Sequence, residues 1–417
     1  MLLPKMIRVK QKFPTDVVED IRSAVFTELD QLDMGSIVKS GDTVAVGAGS
    51  RGIANIDVAI KSVVDYLKGI GSKPFVFPAM GSHGGATPEG QKDILAHYGI
   101  TEETMGAPIR ATMEVVEVGR TADDLPVFLD RYAYEADVAI PVNRVKSHTD
   151  FHGSIESGLM KMLAIGFGKQ KGASMYHRAF FRYGFEHVIL ASGRLLIEAG
   201  KIGFGVALIE NAYQKTAKVS AIQSKDFVRR ERELLVEAKA LSGKLPFDEL
   251  DLLILDEVGK DISGTGMDTN IIGRYMQNFE SDPEKPSITR IFARDLTEDS
   301  SGNATGIGLA DFTTTRLVEK FDKKATYMNG LTGLGPQKSR IPFHYDTDLE
   351  VIEAALNTIG LTPPEEARVV RIQNTLQLGE VDISEILVED AELRSDLEII
   401  SEAKAFTFDS SGNLRSF

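Results

Sequence analysis

The histidines of this chain are unevenly distributed, and their spacing points to chemistry. Four of the seven lie between residues 148 and 187, at His148, His152, His177 and His187. A fifth, His83, is flanked by glycine and serine residues. Histidine is the usual acid/base group at neutral pH and the commonest protein ligand for transition metals. The pattern therefore predicts an enzyme whose active site contains these two segments.

The two most closely spaced histidines allow two interpretations. His148 and His152 are four residues apart, so on a helix both would lie on one face, where they could chelate a metal ion while Asp150 orients one ring. That arrangement is typical of a zinc or manganese hydrolase. In a loop, the same residues would instead serve as separate acid and base groups. The sequence also places Lys161 within an apolar stretch, which favours a functional lysine over an ordinary surface residue.

A glycine-rich turn at residues 47–52 matches the G-x-G-x-x-G pattern of dinucleotide-binding proteins. That fingerprint also needs an acidic residue at the end of the second strand to hold a ribose, and residues 75–81 contain none. The turn is better interpreted as an anion site. Backbone N–H groups and the guanidinium of Arg51 would hold a carboxylate or a phosphate there.

Composition narrows the class of protein further. The chain has 417 residues and a net charge of -14, which argues against nucleic acid as a main partner. It has no cysteine, which excludes disulfides and thiolate metal sites. No signal peptide or membrane-spanning stretch is recognisable, so a cytoplasmic enzyme with no membrane partner is predicted. A small-anion binding protein without catalytic activity is a third interpretation, in which the histidine spacing is accidental.

The elements that would position these residues indicate an α/β fold. Apolar runs at residues 43–46, 74–77 and 136–142 are typical of buried parallel strands, and residues 55–68 have the apolar spacing of a helix. A second helix is predicted from Pro88 to about residue 98, with Thr87 as its N-cap. His83 and the tract from residue 143 would both follow carboxyl ends of strands, where open α/β sheets bind ligands.

Two α/β domains are expected, with the active site in the cleft between them and a mainly parallel sheet in the N-terminal domain. We place the N-terminal domain at residues 1–250 and the C-terminal domain at 251–417. A charged helix at 229–241 precedes the boundary, and a strand at 251–256 follows it. A helix is also predicted near 349–358. Residues 405–408 alternate like a strand that could return to the N-terminal domain.

On these residues the chain resembles the nickel-pincer nucleotide-dependent lactate racemase family. The similarity covers residues 40–180 best. It consists of an arginine in an early glycine-rich loop, a histidine about thirty residues later, a further histidine, a Ser-Gly-x-x-Lys segment, and a histidine sixteen residues after that lysine. The corresponding positions in this sequence are Arg51, His83, His152, Ser157, Gly158, Lys161 and His177.

The resemblance implies a racemase or epimerase that inverts a 2-hydroxy acid by hydride transfer. Its cofactor would be the nickel-pincer nucleotide, a pyridinium-3,5-bisthiocarboxylate mononucleotide of nickel, supplied by cofactor-synthesis enzymes. His177 would ligate nickel, while Lys161, with Ser157 and Gly158, would bind the cofactor. His83 and His152 would be the paired acid/base groups.

Substrate binding is implied for Arg51 and, in the second domain, for Lys260 and Glu257. The interval between His152 and Lys161 is one residue shorter than in lactate racemases, so His148 is an alternative second acid/base group. Glu257 replaces an amide, and the chain has no tryptophan. Both differences favour a substrate larger than lactate, such as a sugar acid. Covalent attachment of the cofactor at Lys161 is left open.

Overall fold

The computed structural model describes residues 1–49, 52–277 and 280–417. The chain divides into two compact units, Thr15–Ser242 and a second made of Met1–Pro14 together with Gly243–Phe417. The second unit thus begins a few residues before the predicted start at 251. It also takes the first fourteen residues, which the sequence prediction gave to the N-terminal domain. The reason is that the first strand pairs with strands from the end of the chain.

Most strands are short and belong to two sheets. Within the described residues the strands are β1 (Met6–Gln11), β2 (Thr43–Ala48), β3 (Lys73–Pro78), β4 (Val115–Arg120), β5 (Pro126–Asp130), β6 (Val138–Arg144), β7 (Phe204–Glu210), β8 (Thr216–Gln223), β9 (Glu249–Leu255), β10 (Ser287–Ala293), β11 (Phe312–Thr314), β12 (Phe343–Tyr345), β13 (Val369–Ile372), β14 (Glu380–Ser384) and β15 (Leu397–Ile399).

Helices lie between most of these strands. They are α1 (Ile21–Asp30), α2 (Met34–Ile37), α3 (Ile56–Gly69), α4 (Pro88–His97), α5 (Glu102–Met105), α6 (Arg131–Glu135), α7 (Leu159–Lys161), α8 (Lys169–Tyr183), α9 (Phe185–Glu198), α10 (Phe227–Leu241), α11 (Thr269–Ile272), α12 (Thr315–Lys320), α13 (Lys323–Thr332), α14 (Asp348–Leu356) and α15 (Val388–Glu392). A π-helical segment, Met162–Phe167, joins α7 to α8.

The unit of residues 15–242 contains a five-stranded sheet in the order β3-β2-β6-β7-β8. Neighbouring strands are parallel except for the β7–β8 pair at the edge. Val46 on β2 is in register with Val76 on β3 and with Ile140 on β6. The predicted α/β class with a mainly parallel N-terminal sheet is confirmed.

Helix α3 shows why the sequence folds this way. Its apolar residues recur every three or four positions and are buried against the sheet, whereas its charged residues alternate with them. Burying each such aliphatic side chain contributes about 1.5–3 kcal/mol. The buried set is Ile56, Ala59, Ile60, Val63, Val64 and Leu67.

The strand order places two of the predicted functional loops at one edge of this sheet. β3 and β6 both pair with β2 in parallel, so the segments that follow Pro78 and Arg144 leave the sheet at the same end. The first segment carries His83, and the second carries His148 and His152. The predicted convergence of these loops at the carboxyl edge is therefore confirmed.

The other unit contains an eight-stranded mixed sheet in the order β12-β11-β10-β9-β13-β14-β1-β15. The pairs β12–β11, β11–β10, β10–β9 and β9–β13 are parallel. The pairs β13–β14, β14–β1 and β1–β15 are antiparallel. Residues 405–408, predicted as a strand, do not form one. The last strand is β15, which pairs with β1, and Lys404 forms a single bridge with Met6.

Helices predicted in both units are observed close to their expected bounds. Thr87 caps α4 as expected, since its side chain accepts a hydrogen bond from the Gly90 N–H at 3.1 Å. Residues 229–241 lie in α10, and α14 covers most of 349–358. In the described part of the chain, no helix has the length and apolar character needed to cross a bilayer.

Candidate active site

The segment that carries His83 is shaped by glycines in left-handed conformations. Gly81, Gly84 and Gly85 have φ of 59°, 63° and 65°. A Cβ at Gly84 would lie 2.5 Å from the backbone carbon of Gly90 at the start of α4, so only glycine allows this close packing. The loop thereby holds the half-buried His83 at the carboxyl end of β3.

His148 is buried against aromatic rings. Its ring centroid lies 4.6 Å from that of Phe151 and 5.5 Å from that of Phe185. Its Nδ1 accepts a hydrogen bond from the Asp150 N–H at 2.9 Å. That bond requires an unprotonated Nδ1, so the neutral ring carries its proton on Nε2.

His152 lies beside a buried carboxylate, Glu156. The distance from His152 Nδ1 to Glu156 Oε1 is 3.7 Å, and the side chain of His152 is 23% exposed. Glu156 also accepts hydrogen bonds from the His148 N–H at 2.7 Å and from Lys239 Nζ at 2.6 Å. Burial raises the pKa of Glu156, but these partners lower it by more, so the net shift is downward and the carboxylate is ionised at neutral pH.

The residues that precede Lys161 are fixed by backbone contacts. Ser157 exchanges two backbone hydrogen bonds with Lys146, of 3.0 and 3.2 Å. The carbonyl of Gly158 accepts from Asn143 Nδ2 at 3.1 Å. A Cβ at Gly158 would lie 2.4 Å from Oε1 of Glu231. Glycine thus lets the chain pass close to a buried carboxyl group without displacing it.

Glu231 is a fully buried group on α10 behind the start of α7. Its Oε2 accepts the Met160 N–H at 2.9 Å, and its Oε1 is buried without a hydrogen-bond partner. Burial raises the pKa of Glu231 to about 7, against the lowering effect of the backbone N–H groups of Met160 and Leu159. A carboxyl group on the edge of protonation thus supports the segment that ends in Lys161.

His177 projects from α8 two turns after the helix begins. Its Nδ1 is buried and makes no hydrogen bond, and its ring lies edge-on to Phe180 with centroids 5.5 Å apart. Burial lowers the pKa of His177 to about 4, with a further lowering by the charge of Lys161 and a partial opposition by Asp150. The imidazole is therefore uncharged at neutral pH, the form in which it donates a lone pair to a metal.

One aromatic cluster joins these groups. Phe151 stacks on Phe185 with centroids 4.2 Å apart and meets Phe180 at 5.0 Å. Because His148 packs on Phe151 and His177 packs on Phe180, the structure brings both histidines around the same cluster. Residues 148–152, Lys161 and His177 thus form one neighbourhood within residues 15–242.

His187, Lys260 and Glu257 have contacts of their own. Arg51 lies outside the described residues. His187 is on the surface, where its Nε2 lies 2.6 Å from Asp123 Oδ2. In the other unit, Lys260 Nζ donates to the Gly264 carbonyl at 2.6 Å, and Glu257 accepts from Asn374 Nδ2 at 3.5 Å.

The hydrolase interpretation has no geometric support. Across residues 1–49, 52–277 and 280–417, no three His, Asp or Glu side chains are grouped closely enough to hold a metal ion. The His148 Nδ1 is already engaged by the Asp150 N–H, and the His152 Nδ1 faces Glu156. The predicted chelate of His148, Asp150 and His152 therefore does not form. A metal bound through His177 would need its other donors from a cofactor.

Sequence reasoning did not single out Glu156 or Glu231. The residues that flank these two acids in the sequence give no sign of a special role. Only the fold shows that both are buried, behind the histidine loop and the Lys161 segment. Gln91 and Lys169 were missed for the same reason. Lys169 follows a Gly-Phe-Gly sequence, which is the one local signal of an unusual backbone at that point.

Comparison with known proteins shows which protein family this chain resembles. Residues 4–185 match the family model described as the lactate racemase N-terminal domain. The whole fold is similar to the lactate racemase apoprotein from Thermoanaerobacterium thermosaccharolyticum, with a TM-score of 0.52 and 11% sequence identity, over 89% of this chain and 99% of that chain. At this identity the second comparison shows a shared fold alone. Curated protein sequences give no significant match.

Residues 4–185 therefore match the N-terminal domain of lactate racemases, in agreement with the family resemblance inferred from the sequence. This match supports an isomerase of the racemase or epimerase type. The cofactor, the substrate and the role of each residue are matters for a proposal.

Proposed function

We propose that the protein is a racemase or epimerase that inverts the C2 centre of a 2-hydroxy acid with a nickel-pincer nucleotide as its cofactor. The observation that carries the proposal is the uncharged, partly shielded His177 beside Lys161, in the same unit as His83 and His152. A buried nitrogen without a hydrogen bond costs about 1–3 kcal/mol, so His177 fits a site that a bound group completes.

Residues of this chain would hold that group at two points. His177 would be the single protein ligand of nickel, and Lys161 would anchor the nucleotide, with Ser157 and Gly158 shaping the backbone before it. The remaining nickel donors would come from the cofactor, which suits a chain without cysteine. When bound, the cofactor would supply a reversible acceptor for the hydrogen at C2.

The protein's own part in the reaction is proton transfer and orientation. The C2 hydroxyl points to opposite sides in the two enantiomers, so two bases are needed. We assign these roles to His83 and His152. In either direction, the histidine on the side of the substrate hydroxyl would accept its proton, and the other histidine, already protonated, would donate a proton to the hydroxyl of the product, a task that histidine performs near neutral pH.

The geometry favours His152 over His148 as the second base. His148 is buried in the aromatic cluster, and its Nδ1 is held by the Asp150 N–H. His152 is partly exposed, and its Nδ1 faces the ionised Glu156. A carboxylate at one ring nitrogen orients the imidazole and stabilises the protonated form that a general base must pass through. His148 then serves to pack the loop.

The substrate is proposed to be larger than lactate, such as a sugar acid. Arg51 and Lys260 would bind its carboxylate, and Glu257 would accept hydrogen bonds from additional hydroxyl groups. The protein would depend on cofactor-synthesis enzymes as functional partners. A cytoplasmic location and the absence of nucleic-acid and membrane partners stay predictions from the sequence.

The test uses protein that is produced together with the cofactor-synthesis enzymes. Enantiopure 2-hydroxy acids, including sugar acids, are incubated with it in D₂O, and inversion at C2 is followed by chiral chromatography. We expect inversion with retention of the original hydrogen at C2, because that hydrogen returns from the cofactor. Deuterium at C2 would show ordinary proton abstraction and would contradict the proposed chemistry.

Two variants separate the assigned roles. His177→Ala should lose nickel, as measured by elemental analysis, together with activity. His83→Ala should keep nickel and lose activity by about 10²–10⁴-fold, the usual contribution of a general acid or base. If His177→Ala retains full nickel and activity, the ligand assignment is wrong.

A further inference from the structure

We propose that Gln91 and Lys169 are positioning residues, which form a buried clamp between the His83 loop and the first residue of α8. The inference rests on the proposed function, because it concerns how His83 is held relative to the helix that carries His177. Both side chains are fully buried, at 0% exposure.

Gln91 on α4 holds the His83 loop through two hydrogen bonds. Its Nε2 donates to the carbonyl of Gly81 at 3.0 Å and to the carbonyl of His83 at 3.3 Å. These two carbonyls flank the glycine turn that orients His83. A buried amide that donates to two carbonyls in one turn determines the turn's conformation, because each unsatisfied carbonyl would cost free energy.

Lys169 connects the side chain of Gln91 to the end of β3. Its Nζ donates to Oε1 of Gln91 and, at 2.8 Å, to the carbonyl of Pro78, the last residue of β3. Its backbone has φ of 55°, a left-handed conformation that is unfavourable for a lysine. The fold therefore maintains a strained residue at the start of α8, where its ammonium group reaches the end of β3 and the side chain of Gln91.

A third buried group balances the charge of the clamp. Asp130, the last residue of β5, places its Oδ2 3.7 Å from Lys169 Nζ, while its Oδ1 accepts the Tyr132 and Ala133 N–H groups at 2.8 and 3.2 Å. Burial lowers the pKa of Lys169 to about 8 and raises that of Asp130 to about 6, and each charge partly offsets the effect on the other. Charged groups are rarely buried for packing alone.

The clamp connects the positions that the proposed reaction must keep fixed. The end of β3, the turn around His83 and the start of α8 are joined through four side-chain hydrogen bonds to carbonyl oxygens or to one another. The ion pair between Lys169 and Asp130 adds the end of β5. His177 lies eight residues after Lys169 on the same helix. A displacement of about 1 Å at a reacting group can lower a rate by about 10²-fold, so this coupling matters for turnover.

The main test is Gln91→Met, which keeps the side-chain length and removes the three hydrogen bonds that Gln91 makes to Gly81, His83 and Lys169. We expect kcat of the cofactor-loaded enzyme to fall about 10–100-fold, with KM and nickel content within twofold of wild type. Gln91→Glu provides a second variant. It keeps an acceptor for Lys169 and withdraws the amide donors to Gly81 and His83, so it should lower kcat similarly and unfold closer to the wild-type temperature.

Ser72→Ala is the matched control. Ser72 is buried at the opposite end of β3, and its Oγ donates to the Leu67 carbonyl at 2.8 Å. This variant loses a buried hydrogen bond from the same unit without touching the loop. It should lower stability and leave kcat within twofold of wild type.

A second readout does not depend on catalysis. Amide hydrogen exchange of His83, Ala86 and Thr87, whose N–H groups bond within the turn, should accelerate at least tenfold in both Gln91 variants and not in Ser72→Ala. Unchanged exchange in Gln91→Glu and Gln91→Met would overturn the clamp. Faster exchange with unchanged kcat would overturn its positioning role. If loaded wild type inverts no 2-hydroxy acid, the proposed function fails, and the exchange experiment still decides the clamp.

Discussion

The two units differ in how completely their buried ionisable groups are hydrogen-bonded. In the unit of residues 243–417, Asp256 accepts from Arg294 and from both Nε and Nη2 of Arg371, at 2.5, 2.8 and 2.6 Å. Asp348 accepts from Arg294, from Arg316 and from the Leu414 N–H. Every carboxylate oxygen in this group has a close donor.

In the unit of residues 15–242, buried ionisable groups are only partly matched. Glu231 Oε1 and His177 Nδ1 are buried without a hydrogen bond, and Lys169 stands 3.7 Å from Asp130. Their pKa values move accordingly, upward to about 7 for Glu231 and downward to about 4 for His177, in both cases mainly because of burial.

This contrast separates structural from functional charge. A saturated network fixes the tail of the chain and favours one arrangement, whereas incomplete pairing is tolerated where a ligand or a reaction needs the group. Both units bury charge, so burial alone does not identify the site. The unfilled hydrogen-bonding capacity of buried ionisable groups is the feature that supports the proposed site.

The largest effect should come from breaking the saturated network. Asp348→Ala leaves the guanidinium groups of Arg294 and Arg316 short of an acceptor in a buried position, so the free energy of unfolding should fall by about 3–5 kcal/mol. Urea unfolding measures the loss. The kcat per folded molecule should not change, and Asp348→Asn, which keeps one acceptor oxygen, should lose less. A loss of kcat equal to that of His83→Ala would remove the distinction between the units.

Glu231→Gln should produce the next largest effect, and it should depend on pH. The carboxyl pKa is about 7 in the folded state and 4.5 as the reference value. Between these values the folded protein keeps a proton that the unfolded chain has released, so the free energy of unfolding falls as pH rises from 4.5 to 7. Glutamine does not titrate. The variant should therefore be more stable than wild type above pH 7, by up to about 3 kcal/mol.

Unfolding midpoints at pH 5 and pH 8 test this difference. Below pH 4.5 the wild type and the variant should agree within about 1 kcal/mol, because both then present a neutral side chain to the Met160 N–H. Equal stability at pH 8 would mean that Glu231 is ionised in the folded protein at no cost, contrary to its burial.

Glu156→Gln tests the group that faces His152. Removing the carboxylate charge weakens the orientation and stabilisation of the imidazolium, so kcat should fall about 10–100-fold, as for other groups that support a functional histidine. The same substitution leaves the His148 N–H with an acceptor, so a purely structural role predicts little change in kcat.

Local sequence patterns predicted the elements of the site and not the contacts between them. The spacing of apolar residues located α3, the Thr-Pro pair located the start of α4, and apolar runs located the parallel strands β2, β3 and β6. Histidines at the ends of strands were predictable for the same reason. Lys239 and Gln91 reach Glu156 and Lys169 across 83 and 78 residues of chain, and such pairings depend on the packed fold.

The smallest effect should come from an exposed ion pair of the same length as one whose carboxylate is buried. Lys218 Nζ and Glu237 Oε2 are 2.6 Å apart, as are Lys239 Nζ and Glu156 Oε1. In the first pair the side chains are 38% and 42% exposed, whereas Glu156 is fully buried. Water solvates both charges of the exposed pair whether or not they meet, so a double-mutant cycle with Lys218→Ala and Glu237→Ala should give a coupling of about 0.2–1 kcal/mol.

The corresponding cycle with Lys239→Ala and Glu156→Ala should give a larger coupling, because Glu156 without Lys239 keeps a buried charge that solvent does not reach. Two couplings of equal size would show that distance sets the energy of these pairs. Unequal couplings at equal distance would show that solvent access sets the coupling energy of these ion pairs.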